Sequence, residues 1–255
     1  MRANEIMAII PQAAGSSARR RLKPSTSISG NFSQISISGT LDQGSYSQIG
    51  QALQESLLDD TEAVIILIDS PGGSVYGLQE LSDTIFASRR VKPILSLINP
   101  LAGSAAYMLA AACSECYCTP SGEVGGIGVV SAHIDQSAAM RKAGVNVTLI
   151  SAGQYKVEGN PYEPLDDEAR EWMQCRLDEI HSAMLTRIGA YRGKTAKYVQ
   201  TQFGAGRLLG ATDARLAGMI DSITTPQGLQ RRLKSNQVKA KTKSAALCRK
   251  ILKTL

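Results

Sequence analysis

A serine at a predicted strand-to-helix junction is the residue in this sequence best placed for nucleophilic chemistry. Ser104 follows an apolar segment, 93–98, and opens a run of small residues that favours a helix. A hydroxyl in the first turn of a helix lies near free backbone N–H groups and the positive end of the helix dipole. The same position also suits a serine that only caps the helix. The residue alone therefore leaves both interpretations open.

A pair of adjacent glycines, Gly72 and Gly73, follows another predicted strand. The segment 63–69 is apolar without alternation, as in a strand buried on both faces. Glycines at the end of such a strand leave backbone N–H groups open to a ligand and can form an oxyanion hole, although a plain tight turn would look the same. Open α/β sheets place their sites at the carboxyl ends of strands, so we expect both motifs on one rim.

A catalytic serine also needs a base, and the sequence offers three candidates. His133 follows an apolar run and His181 lies inside a predicted helix, where structural roles are the simpler interpretation. Lys156 comes just after a predicted buried strand. A lysine has an ordinary pKa of about 10.4, but desolvation can lower it and leave a neutral amine that accepts a proton. A Ser-Lys dyad is thus chemically possible, while the spacing equally permits a surface lysine.

The composition indicates a folded domain with a basic extension. The chain has 255 residues, 43% hydrophobic and 20% charged, which is typical of globular proteins. The net charge of +6 comes from the C-terminal end, since no acidic residue follows Asp221. Such a tail could contact nucleic acid or an acidic partner, or could be a solvated extension.

The N-terminal segment and the cysteines bear on location and metal binding. An apolar patch precedes the arginines at 19–21, the reverse of the order in a secretory signal, and no apolar run reaches the ~20 residues that span a bilayer. We therefore expect a cytoplasmic protein without a signal peptide or transmembrane segment. Five cysteines suit a reducing compartment. The cysteines at 113, 116 and 118 could bind zinc, but their spacing favours buried thiols that only pack in the core. No metal or other cofactor is therefore expected.

Alternating strands and helices predict an α/β core of βαβ units. Predicted strands cover 35–41, 63–69, 93–98, 115–119, 145–151 and 219–223, and predicted helices cover 49–58, 76–90, 104–112, 137–143, 165–191 and 211–217. We expect a flexible N-terminal arm at 1–30, a catalytic domain at 31–225 and a basic tail at 226–255.

Together the motifs resemble one known family. They are Pro71-Gly72-Gly73, Ala102-Gly103-Ser104-Ala105-Ala106-Tyr107, Gly125-Gly126-Ile127-Gly128-Val129, and Gly153-Gln154-Tyr155-Lys156 with the Gly-Asn-Pro-Tyr-Glu-Pro-Leu segment at 159–165. In this order they are similar to the signal peptide peptidase A family of Ser-Lys peptidases. The lack of a membrane anchor and the Gly-Asn-Pro-Tyr segment look most like phage head maturation (minor capsid C, prohead) proteases.

The resemblance implies a fold, an activity and a set of residue roles. The fold would be the Clp protease and crotonase type of α/β superhelix with spiral β-sheets. Ser104 would be the nucleophile, Lys156 the general base, and Gly72 with Gly73 the oxyanion-hole donors. The substrates would be capsid or scaffold proteins in the host cytoplasm or the assembling virion, and the active form would be a homo-oligomer.

One departure from the family pattern concerns the lysine. The family usually has a serine that hydrogen-bonds the catalytic lysine where this chain has Gly126. Ser121 or Ser131 could replace that hydroxyl, or the activity could be weak.

Three alternatives remain at this stage. The first is a cytosolic peptidase of the same family that degrades signal peptides or other peptides. The second is a catalytically weak component of capsid or scaffold assembly. The third is a crotonase-like acyl-CoA enzyme, which would need the oxyanion hole but no serine or lysine. A Clp-type histidine base is disfavoured, because 125–130 contains no histidine.

Overall fold

The computed structural model describes residues 7–9, 25–29 and 31–234. Its strands are β1 (Met7–Ile9), β2 (Ser25–Ser29), β3 (Phe32–Ser38), β4 (Ala63–Ser70), β5 (Gly72–Ser74), β6 (Ile94–Gly103), β7 (Glu115–Cys118), β8 (Glu123–Gly125), β9 (Leu208–Gly210) and β10 (Ser222–Ile223). Its α-helices are α1 (Gln43–Leu58), α2 (Leu78–Ser88), α3 (Ala105–Ala111), α4 (Ser137–Lys142), α5 (Asp167–Arg192), α6 (Ala196–Gln202), α7 (Ala211–Ala217) and α8 (Pro226–Lys234).

The main sheet is mostly parallel. Its path runs β10-β7-β6-β4-β3-β2, with parallel pairing from β10 to β3 and an antiparallel edge between β3 and β2. The long strand β6 pairs with β7 along its first half and with β8 near its end, and β9 joins β8. The predicted α/β class is confirmed.

Both faces of the sheet are covered, which explains the continuous apolar strands. The larger cluster lies under α1, α2, α3 and α5. Every residue of α3 is buried, so this helix lies at the centre of the molecule. On the opposite face, Leu229 and Leu233 of α8 pack with side chains of β4, β6 and β7.

The predicted elements agree with the structure except in one region. The strand expected at 145–151 is wrong, since these residues form no strand or helix. Val147 is 41% exposed and Ile150 94% exposed, and the described residues provide no neighbouring strand for them. A strand is stable only when its backbone groups are paired, and the apolar pattern alone does not show where the partner is.

The predicted buried thiols are confirmed. Cys113, Cys116 and Cys118 are all buried, and burial raises the pKa of Cys116 to about 11 and that of Cys118 to about 12. Such thiols are inert packing groups rather than nucleophiles. Among the described residues no His, Cys, Asp or Glu cluster could hold a metal ion. Nor does any helix in that part of the chain have the length and apolar character needed to cross a membrane.

The two terminal segments contain secondary structure. Two strands fall within the segment interpreted as an arm: β1 pairs with β5, and β2 pairs with β3. The segment interpreted as a basic tail begins with the buried face of α8. The remainder of that tail, 235–255, lies outside the described residues, as does most of the arm.

Candidate active site

Ser104 sits at a sharp turn between β6 and α3. Its backbone has φ 47° and ψ −112°, a conformation that side-chain-bearing residues rarely adopt. Such a backbone costs on the order of 1–3 kcal/mol and persists where the surrounding structure enforces it, often at active sites. Here the Ser104 N–H donates to the Gly125 carbonyl at 2.6 Å, and its carbonyl accepts from Met108 N–H at 3.1 Å. These two bonds hold the backbone of Ser104 in this turn.

The glycine corner after β8 holds the other side of this turn. Ser104 Oγ donates to the Gly128 carbonyl at 3.1 Å, and Ser104 itself is fully buried. Gly125 has φ 131°, and a Cβ there would lie 2.4 Å from the Arg207 carbonyl oxygen. Gly126 has φ 61° and donates its N–H to the same carbonyl at 2.9 Å. Only glycine fits this close approach without strain, which explains the glycine-rich sequence.

The strand β5 is held tightly on one edge. Leu41 N–H donates to the Gly72 carbonyl at 2.8 Å, and Ser74 N–H donates to the Leu41 carbonyl at 2.9 Å. A Cβ on Gly73 would lie 1.9 Å from the Leu41 carbonyl oxygen, so no other residue fits there. Tyr46 Oη donates to the Ser74 carbonyl at 2.5 Å, and burial raises the pKa of this tyrosine, which keeps it a donor.

The two predicted oxyanion donors differ in their surroundings. The Gly72 N–H donates to Ser70 Oγ at 3.1 Å, and that hydroxyl donates to the Gly39 carbonyl at 2.6 Å. Alternate residues of a strand direct their backbone groups to opposite edges. Because Gly72 and Ser74 bond to Leu41, Gly73 directs its N–H and C=O to the other edge of β5.

The predicted common rim is confirmed. Ser70 at the end of β4 is in register with Ala102, two residues before Ser104. Gly103 is in register with Gly125, and α3 packs against β5. The serine, the glycine pair and the glycine corner therefore meet at the carboxyl end of the parallel strands.

Lys156 is exposed, whereas Ser104 is fully buried. It lies exposed in the turns at 153–159, and the structure records no hydrogen bond between it and Ser104 among the described residues. The neighbouring Tyr155 is also exposed, and its Oη donates to Glu168 Oε1 at 3.1 Å at the start of α5. His133 Nε2 bonds with the Asn160 carbonyl at 2.9 Å, and among the described residues neither His133 nor His181 has a recorded hydrogen bond to Ser104.

A cavity of about 470 Å³ adjoins the glycine corner. Gly128, Ser131 and His181 are among its lining residues, and the cavity continues between α5 and α6. Ser131 Oγ is buried and has no hydrogen-bond partner among the described residues. Ser121, the other hydroxyl predicted to orient the lysine, is exposed. The cavity thus combines an unsatisfied hydroxyl with the loop whose carbonyl binds Ser104.

Three contacts at the site were not predicted from the sequence: the Ser70 hydroxyl, the Gly128 carbonyl and the Arg207 carbonyl. Ser70 directly precedes Pro71-Gly72-Gly73, so its position offered a signal. The two carbonyls offered none, because every residue has a carbonyl and only the fold selects those that accept these bonds.

Comparisons with known proteins identify a peptidase family. Residues 87–241 match the model of Peptidase family S49. The chain is 36% identical over 156 residues to "Capsid assembly protease C" of Escherichia phage lambda, which covers 61% of this chain and 35% of the relative. It is 38% identical over 149 residues to "Head-tail preconnector protein GP5" of Enterobacteria phage P21, which covers 58% and 30%.

A more distant relative comes from a plant. The chain is 26% identical over 163 residues to "Serine protease SPPA, chloroplastic" of Arabidopsis thaliana, which covers 64% of this chain and 24% of the relative. The chain spans only about a third of the length of the two phage relatives. The match alone therefore does not assign to this chain the function of those longer proteins.

Proposed function

The chain belongs to peptidase family S49, and we propose that it is a serine endopeptidase with Ser104 as nucleophile and Lys156 as general base. The observation that carries the proposal is the strained Ser104 turn, whose hydroxyl lies on the same rim as the Gly73 amide. A serine that only caps a helix does not require a strained backbone conformation, whereas strained residues are common at active sites. The family match favours peptide hydrolysis over acyl-CoA chemistry. Membership of this family also supports the proposed fold, which is the Clp protease and crotonase type of superhelix.

The proposed reaction uses no cofactor. The neutral amine of Lys156 accepts the proton of Ser104 Oγ as the oxygen attacks a peptide carbonyl. The Gly73 N–H stabilises the negative charge that develops on the carbonyl oxygen, and Gly72 can contribute only by giving up its bond to Ser70. The C–N bond breaks, the protonated lysine returns its proton to the leaving amine, and water then hydrolyses the acyl-enzyme.

We infer that the dyad is completed between two copies of the chain. Lys156 is exposed at the end of a segment that carries several exposed apolar side chains, namely Val130, Ile134, Val145, Val147, Leu149, Ile150 and Tyr155. Exposed apolar patches of this kind mark interaction surfaces. The cavity is lined by Gly128, whose carbonyl accepts from Ser104 Oγ, and it is the proposed entry for the lysine of a neighbouring chain. The proposed active form is therefore a homo-oligomer.

The proposed substrates are capsid or scaffold proteins of an assembling phage head. This follows from the printed name of the phage lambda relative and from the Gly-Asn-Pro-Tyr segment after the lysine.

The test is cleavage by matched variants. We expect the parent to cleave casein and a co-encoded capsid or scaffold protein, and Ser104→Ala and Lys156→Ala each to lose at least ~1,000-fold in rate, as expected when a catalytic unit is broken. Lys142→Ala, which removes an exposed lysine of α4, should retain the parent's rate. Products would be identified by mass spectrometry. A well-folded parent that cleaves neither substrate would instead favour an assembly role.

Ser131 is the proposed lysine-orienting hydroxyl. Loss of a hydrogen bond to a charged or reacting amine costs roughly 1.5–3 kcal/mol, so we expect Ser131→Ala to lower kcat about tenfold or more. Gly126→Ser in that background should restore part of the rate, because it supplies a hydroxyl at the family position. The left-handed backbone at 126 makes this rescue cost about 1–2 kcal/mol of stability. Unchanged kcat in Ser131→Ala would contradict this role, and thermal unfolding would measure the cost.

A further inference from the structure

The strand β1 is paired with the free edge of β5. It runs antiparallel to β5, with Met7 opposite Ser74, Ala8 opposite Gly73 and Ile9 opposite Gly72. The other edge of β5 is already bonded to Leu41. The N-terminal segment therefore adds a strand to the one edge of β5 that could accept a peptide.

The register places this strand on the proposed catalytic amide. Gly73 directs its N–H and C=O away from Leu41, and its partner on that side is Ala8. A directly opposed pair of this kind exchanges two backbone hydrogen bonds, so the Ala8 carbonyl accepts from Gly73 N–H. That N–H is the one proposed to bind the oxyanion of a substrate. A second peptide cannot use it while Ala8 does.

The pairing of β1 with the edge of β5 is consistent with the burial of Ser104. Ser104 is 0% exposed in the structure that contains β1, so no substrate reaches its hydroxyl in this arrangement. The helix α3, which follows Ser104 directly, packs against β5. Addition of an extended peptide to an open sheet edge is a general mode of peptide binding, with the backbone hydrogen bonds supplying affinity.

We propose that residues 7–9 are a resident ligand of the peptide-binding edge of β5, so that the chain's own N-terminal segment must leave before another peptide can bind. The inference rests on the proposed function for the role of the β5 edge as a substrate-binding site. The pairing of residues 7–9 with β5 is independent of that function. A segment tethered in the same chain competes at an effective concentration of about a millimolar, which is enough to exclude a weakly binding peptide. The arrangement keeps the chain in a low-activity state while residues 7–9 stay paired with β5.

The test measures peptide binding and needs no catalysis. Every protein in it carries Ser104→Ala, and the probe is a fluorescein-labelled peptide with the sequence of residues 4–13 of this chain. Ala8→Pro removes the Ala8 N–H that bonds to the Gly73 carbonyl, and should release the segment. We expect Ser104→Ala/Ala8→Pro to bind the probe at least tenfold more tightly than Ser104→Ala. The matched control Ser104→Ala/Ala13→Pro, with proline outside β1, should behave as Ser104→Ala.

Equal affinity of the first two proteins for the probe, or no binding by either, would overturn the proposal. Hydrogen exchange gives a second measurement that requires no proline variant. In Ser104→Ala, the Ala8 amide, which faces Gly73, should exchange at least tenfold more slowly than in the free peptide, and exchange at the free-peptide rate would also overturn it. Failure of the parent to cleave casein would instead concern the proposed function, because binding and exchange are independent of cleavage.

Discussion

Mixing the two inactive variants should restore proteolysis. If the serine of one chain works with the lysine of its neighbour, a Ser104→Ala chain can still supply Lys156 and a Lys156→Ala chain can still supply Ser104. Random pairing at equal amounts gives about one intact site in four, so we expect about a quarter of the parent's rate. The measurement is casein cleavage after the two variants are unfolded together and refolded, so that subunits exchange.

Two controls make this result specific. Each variant refolded alone should remain inactive, and the double variant Ser104→Ala/Lys156→Ala mixed with either single variant should give no activity, because one residue is then missing from every chain pair. No recovery in the mixture, with subunit exchange verified by differently tagged chains, would mean that serine and lysine work within one chain. The exposed Lys156 would then have to move to the Ser104 rim after folding.

The framework of the fold could be predicted from the sequence because the sheet is buried on both faces. A strand such as β4 then becomes a continuous apolar run, and a helix such as α5 is marked by its acidic first turn, with Asp166 as the N-cap. The segment 145–151 has the same apolar character but no partner strand among the described residues. Local composition indicates that a segment can be buried, whereas the formation of a strand depends on a neighbouring strand with which it can pair.

The candidate site was predictable to the extent that its chemistry depends on residue type. A serine before small residues and a glycine pair after a buried strand are visible in the sequence, and the structure places them on one rim. The engagement of the Gly72 amide by Ser70 could not be foreseen, since it depends on the turn geometry. The position of Lys156 after a predicted strand made it a candidate base, but the proposed role depended on the family resemblance, because an exposed lysine carries no local sign of its partner.

Replacing Gly73 by alanine should lower kcat at least about 100-fold while leaving most of the fold intact. The added Cβ would lie 1.9 Å from the Leu41 carbonyl oxygen, and both atoms belong to backbone-anchored groups. The strand β5 must therefore move, and the Gly73 N–H moves with it. Loss of one oxyanion donor costs about 100- to 1,000-fold in kcat, so we expect a fall of at least that size.

The matched control is Gly210→Ala, because a Cβ at that glycine meets no atom within 4 Å and its backbone is not left-handed. It should keep the parent's kcat/KM and its melting temperature. For Gly73→Ala, circular dichroism would show whether the secondary structure is retained, and steady-state cleavage of a peptide would give kcat and KM. A Gly73→Ala protein with the parent's kcat would remove this amide from the mechanism, since a displaced donor cannot stabilise the oxyanion equally well. Loss of kcat with an intact fold would show that the rate depends on the position of β5. This is the same strand that pairs with residues 7–9.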